Sequence, residues 1–188
     1  VTADVLDAAR KQFLHYGVSR TTMADIAGEL GIPRQTVYEF VSSRDDLVDA
    51  VLVARIKEIA EELAPERAES FATALVETSV AAVDRARNDH ELMNIVTTGP
   101  MERVQAIVTG PNAEIHQVVG DLLGPILDHG AATGQLRTDR SREEIIDWVR
   151  IVYLALITQG GLDPEAERRV VANFLLPSLM FAPRGERG

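Results

Sequence analysis

The chain has 188 residues, a formal net charge of -10, 46% apolar and 26% charged residues, and no cysteine. Its length allows one domain with a sizeable core or two unequal modules, and its composition is that of a globular chain. Without cysteine there are no disulfide staples or thiolate metal sites. His15, His90, His116 and His129 lack a zinc-like spacing, and neither a long apolar run nor a signal-like amino terminus is present. The expectation is a cytoplasmic chain with no metal, no cofactor and no membrane contact. Glycine-rich phosphate loops and a serine–histidine pair at recognisable spacing are also missing, so an enzyme is not expected.

Apolar residues recur with helical periodicity throughout and no stretch alternates as a half-buried strand would, which predicts an all-α protein. A first helix over residues 2–16 places Val5, Leu6, Ala9 and Phe13 on one face and ends at Gly17. Thr22 and Asp25 have capping-box spacing and open a short second helix with Ala24, Ile26, Ala27 and Leu30 on its apolar face. Gly31 permits a positive φ, Ile32 anchors the turn, and Pro33 suits the start of a third helix whose Val37 points back at Ile26 and Ala27. Two short helices about a glycine turn form a helix-turn-helix, whose second helix enters the DNA major groove.

The outward residues of that second helix are Arg34, Gln35, Thr36 and Tyr38. Arginine donates in bidentate fashion to guanine, glutamine pairs with adenine, and threonine offers a hydroxyl and a methyl. Residues 10–44 carry five basic side chains against three acidic ones, a local +2 inside an acidic chain. Local positive charge is what phosphates require, while a distant acidic body suppresses unwanted contacts.

The text AARKQFLHYGVSRTTMADIAGELGIPRQTVYEFVSSRDDLVDAV, residues 8–51, resembles the amino-terminal domain of the TetR family of transcriptional regulators. Phe13, Gly17, Thr22, Ile26, Ala27, Gly31, Thr36, Tyr38 and Leu47 fall where that family's pattern expects them. The resemblance implies that Thr22 and Tyr38 contact phosphates, that Arg34, Gln35 and Thr36 read bases, and that Arg44 meets a phosphate at the start of the fourth helix. Pro33, Phe40 and Val41 depart from the pattern, which commonly has a capping serine, a phosphate-contacting histidine and a phenylalanine there. Phe40 is expected to take over the core role of that phenylalanine.

A second capping box, Ser43 with Asp46, opens a helix over residues 43–64 that links residues 1–48, the DNA-binding domain, to residues 49–188, a helical bundle for ligand binding and dimerisation. Pro65 punctuates that helix, and further helices, broken by Gly99-Pro100, Gly110-Pro111, Gly130, Gly134, Gly160-Gly161 and Pro164, are expected over 66–88, 90–97, 112–132 with a kink at Gly124-Pro125, 141–159 and 164–181, with a variable segment from residue 98 to 109. A cavity is expected among Phe71, Leu75, Thr78, Met93, Val96, His116, Val119, Leu123, Trp148 and Tyr153, which would suit an uncharged or lipophilic effector. The stretch IIDWVRIVYLALI is apolar almost all the way round and so calls for burial on two sides. With the final helix it is expected to form a homodimer interface through Ile151, Ala155, Val171, Phe174, Leu175 and Leu179. The expected protein is a ligand-responsive regulator, most simply a repressor, that binds a palindromic double-stranded operator as a dimer and is released by a small apolar effector. The rival reading keeps the fold as a helical interaction protein without sequence-specific DNA binding, because Glu39 lies near the DNA face, Phe40 stands where a phosphate-contacting histidine is common, and the local +2 is weak.

Overall fold

The computed structural model describes residues 2–63, 70–159 and 162–180, and among them there is no strand. The expected break at Pro65, residues 66–69 of the expected fifth helix, the Gly160-Gly161 break and residue 181 lie outside the described residues. The chain divides into two compact units: residues up to Glu58 with Ala86–Ile115, and Ile59–Arg85 with the residues from His116 onward.

In the first unit, α1 (Ala3–Tyr16) buries Val5, Ala8, Ala9 and Phe13, and its last turn closes when the Gly17 N–H donates to the Phe13 carbonyl. A 3-10 turn (Val18–Arg20) leads to α2 (Met23–Leu30), and the capping box at its start forms as the spacing predicts, with Thr22 and Asp25 bonding reciprocally. Gly31 ends α2 in the left-handed region at φ 67°, and the Ile32 N–H reaches back to the Ala27 carbonyl at 3.1 Å. A side chain at Gly31 would meet no neighbour, so the demand for glycine there is conformational. α3 (Arg34–Phe40) follows with Pro33 as its N-cap, one position earlier than helix-start chemistry implied. α4 (Arg44–Glu62) is 19 residues long, about 28 Å at 1.5 Å per residue. Leu47, Val51 and Leu52 on it are fully buried, each stabilising the fold by about 1.5–3 kcal/mol through removal from water.

α5 (Phe71–Arg87), α6 (His90–Thr98), α7 (Met101–Thr109), α8 (Ala113–Ala132) and α9 (Arg142–Thr158) come next. α7 occupies what the sequence presented as a variable segment. Its nine residues bury Val104 and Ile107, and the flanking Gly99-Pro100 and Gly110-Pro111 pairs, read as loop, are its two ends. Pro125 sits inside α8.

In the second unit, Phe71, Leu75, Val83, Leu123, Leu127, Val149, Val171 and Leu175 anchor one apolar cluster. The expected final helix is interrupted: α10 (Pro164–Val170) passes into a π-helical turn (Val171–Leu175) and then α11 (Leu176–Leu179). Pro177 supplies the cause, since it has no N–H for the carbonyl four residues back and its ring pushes that carbonyl away.

Charged side chains lock α1, α4 and the start of α6 together in the first unit. Arg10 on α1 donates to both carboxylate oxygens of Glu58 at 2.8 and 2.5 Å and to Glu91 at 2.5 Å. Arg55 on α4 is bidentate to Asp89, at 3.0 and 2.5 Å, and also reaches Glu58 at 2.5 Å. Asp89 is 6% exposed and caps α6 by accepting from the Leu92 N–H at 2.8 Å. The hydrogen bond from Arg10, helped by the one from Arg55, holds the Glu58 carboxyl below its ordinary value of 4.5. A carboxylate lowered in the folded state stabilises fully above its unfolded value and loses that contribution as pH falls through the folded one. The urea midpoint followed by far-UV circular dichroism is therefore expected to fall as pH drops from about 5 to about 3, and to fall less steeply for Glu58→Gln. Equal slopes for the two proteins would remove Glu58 from the acid response.

Candidate nucleic-acid interface

α3 is held in place by one fully buried side chain, Val37, and by α2 across the Gly31 turn. The rest of its surface is open. Arg34, Gln35 and Glu39 are exposed, Thr36 is partly so, and Tyr38 is 39% exposed. Arg34 and Tyr38 lie one turn apart, with the Arg34 Nη2 donating to the Tyr38 hydroxyl at 3.0 Å and the guanidinium carbon 5.4 Å from the ring centroid. Phe40 is 41% exposed and Val41 is 5% exposed, so Val41 keeps the inward position that Phe40 was expected to assume. The backbone decides this, because Val41 follows the helix in extended conformation and turns inward where Phe40 turns out.

Thr22 and Arg44, the two phosphate contacts flanking α3 that the resemblance implies, have partners within the protein. The Thr22 hydroxyl accepts from the Asp25 N–H at 3.3 Å and donates to the Asp25 carboxylate at 2.7 Å, and that donation, with the Thr22 backbone N–H at 2.8 Å, holds the Asp25 carboxyl below its ordinary value. The Arg44 guanidinium donates from Nε to the Thr21 carbonyl at 2.8 Å and from Nη2 to the Val18 carbonyl. It clamps the 3-10 turn and the entry to α2. Nothing in the sequence marked this role, which depends on carbonyls more than twenty residues away.

The residues expected around an effector are spread over different surroundings. Phe71, Leu75, Val119, Leu123 and Tyr153 pack in the apolar cluster of the second unit, and Thr78 is buried as well. Tyr153 donates to the Ser79 hydroxyl at 2.9 Å, and burial pushes the phenol up to about 12 against the opposing pull of that hydrogen bond. Ser79, wholly buried beside Thr78, was not among the expected residues, although its place next to Thr78 on a helix was legible. Met93 and Val96 lie on α6 in the first unit. His116 and Trp148 are not core residues. The His116 side chain is 29% exposed and 3.2 Å from Asp147, and Trp148 is 43% exposed with its indole N–H on the Ser178 hydroxyl at 2.9 Å.

The expected dimer residues divide in the same way. Val171, Leu175 and Leu179 are at most 1% exposed within the single chain, so they belong to its own core and offer no area to a partner. Ile151, at 46%, Ala155 and Phe174, at 71%, remain open.

A short helix carrying donors and acceptors outward, seated by one aliphatic side chain against its neighbour across a left-handed glycine, defines a helix-turn-helix DNA-binding protein. Residues 5–51 match the family model described as bacterial regulatory proteins, tetR family. An uncharacterised HTH-type transcriptional regulator of Mycobacterium tuberculosis is 28% identical over 138 residues, 73% of this chain and 70% of that one. Among solved structures, the transcriptional repressor QsdR of R. erythropolis superposes with a TM-score of 0.65 at 20% identity, covering 96% of this chain and 95% of its own. The regulator FadR of Bacillus subtilis, solved with stearoyl-CoA, gives 0.58 at 18% identity over 93% and 95% of the two chains. Residues 5–51 therefore carry the DNA-binding domain of the tetR family of bacterial regulatory proteins, and the chain as a whole has the fold of the TetR-family structures it superposes on. No helix among the described residues is long and apolar enough to cross a membrane.

Proposed function

We propose that the chain is a ligand-responsive repressor that binds a palindromic operator as a homodimer in the cytoplasm and leaves it when a small apolar effector binds in the second unit. The observation that carries this reading is the open polar face of α3, with Arg34 and Gln35 exposed and Thr36 partly exposed on it while Val37 seats the helix. The open side chains of Ile151, Ala155 and Phe174 support pairing of two copies, and a two-fold operator needs two recognition helices about 34–36 Å apart. The Tyr153–Ser79 pair and Thr78 supply a few polar groups in an otherwise apolar cluster, the composition usual for a small-molecule site. The complex of FadR with stearoyl-CoA supports ligand binding by this fold.

Incubation with a randomised pool of duplexes at rising salt is the direct test. A specific regulator retains a discrete subset, and Arg34→Ala is expected to lose discrimination at one base position, by about 1–3 kcal/mol for a bidentate guanine contact. Uniform retention that simply fades with salt would favour the interaction-protein reading. With an effector in hand, linkage requires operator DNA to lower effector affinity by the same factor as the effector lowers operator affinity. Identical effector affinities with and without operator would separate the second unit from control of DNA.

A further inference from the structure

We propose that Tyr38 is a specificity-determining positioning residue that acts through Arg34, orienting its guanidinium for a base edge. This rests on the DNA-reading role of α3 proposed above.

The arginines of the first unit differ in how they are engaged. Arg10, Arg55 and Arg103 are bound to carboxylates, Arg44 is clamped on two carbonyls with the Asp45 carboxylate 3.7 Å away, and Arg20 donates to the Tyr16 carbonyl at 2.9 Å. Arg34, among the described residues, makes no ion pair and has a neutral partner, the phenol of Tyr38. The difference matters because a carboxylate would orient a guanidinium and cancel its charge together, whereas a phenol orients it and leaves the charge intact for DNA.

The i,i+4 spacing brings the two side chains onto one face of α3, and they meet in two ways: an N–H to hydroxyl bond at 3.0 Å and a guanidinium carbon 5.4 Å from the ring centroid. One of five guanidinium N–H donors is used, which leaves a fork for a base edge. A bidentate contact to guanine demands that both donors arrive in one plane and one direction. A long exposed side chain without restraint samples many rotamers, so the tether reduces what must be ordered on binding the correct base. A contact of Tyr38 with the DNA backbone would carry no sequence information, whereas acting through Arg34 makes Tyr38 matter at the base that Arg34 reads.

The test is a double-mutant cycle on duplexes. The preferred sequence of the wild-type chain is selected from a randomised pool, and binding is measured to it and to every single-base variant for wild type, Arg34→Ala, Tyr38→Phe and the double variant. Tyr38→Phe keeps the ring and removes only the hydroxyl, and circular dichroism confirms that the fold is kept. The expected result is that Tyr38→Phe flattens preference several-fold at the same base position that Arg34→Ala flattens, and that adding Tyr38→Phe to Arg34→Ala changes that preference no further. Uniform weakening on all duplexes with base preference intact would assign Tyr38 to the backbone and overturn the proposal, as would an unchanged profile. If the wild-type chain enriches no sequence, the DNA-reading role itself fails and the positioning role with it.

Discussion

Replacing Asp89 with alanine is expected to lower the folding stability by about 3–5 kcal/mol, the cost of breaking a buried charge pair by removing one partner. Asp89 is 6% exposed, takes both donors of the Arg55 fork, and caps α6 through the Leu92 N–H. Alanine removes all three bonds at once and leaves the Arg55 guanidinium, itself 16% exposed, with Glu58 as its near partner. Asparagine preserves an acceptor for the cap and removes the charge, so its loss should fall between wild type and alanine; a cap alone is worth about 1 kcal/mol. Urea titration of the three proteins orders them. A variant Asp89→Ala within about 0.5 kcal/mol of wild type would mean that the Arg55–Asp89 pair and the α6 cap add nothing to the fold.

The second large effect concerns assembly. Phe174 is 71% exposed on the π-helical turn, a cost in water that a second copy of the chain would remove. With the proposed homodimer, Phe174→Glu is expected to scatter light as a monomer at concentrations where the wild type is expected to pair, because an unpaired carboxylate buried at an interface costs several kcal/mol. As Phe174 is not part of the chain's own core, the variant should fold, with an unchanged helical signal. A persistent dimer would place the interface away from Phe174, and Ile151→Glu on α9 then tests the other open side chain.

How legible these features were depended on how local their causes are. The Thr22–Asp25 capping box, the Gly31 turn and the inward Val37 are fixed by residues within a few positions of one another, so spacing was enough to locate them. α7 was hidden because glycine–proline pairs on both sides read as loop, and nine residues with two buried aliphatics carry little periodicity. The final segment misled for a geometric reason: on a uniform helical wheel, Val171, Phe174 and Leu175 share one broad apolar face, but the π-helical turn separates them, burying the first and third and leaving Phe174 out. The Arg10, Arg55, Glu58, Asp89 and Glu91 contacts join residues up to 81 positions apart, and no local pattern announces them. The Arg44 clamp was missed on the same ground, since the carbonyls it binds have no signature in the sequence.

The lone tryptophan has a use beyond its packing. Trp148 is the only indole of the chain, lies in the second unit, and is 43% exposed while tethered to Ser178. Its emission colour follows the polarity of what surrounds the ring. Light absorbed selectively by the indole therefore reports on the second unit alone, whether a second chain covers the α9 surface or the Ser178 tether shifts. The three tyrosines, two of them in the first unit and one beside Ser79, stay dark at that wavelength.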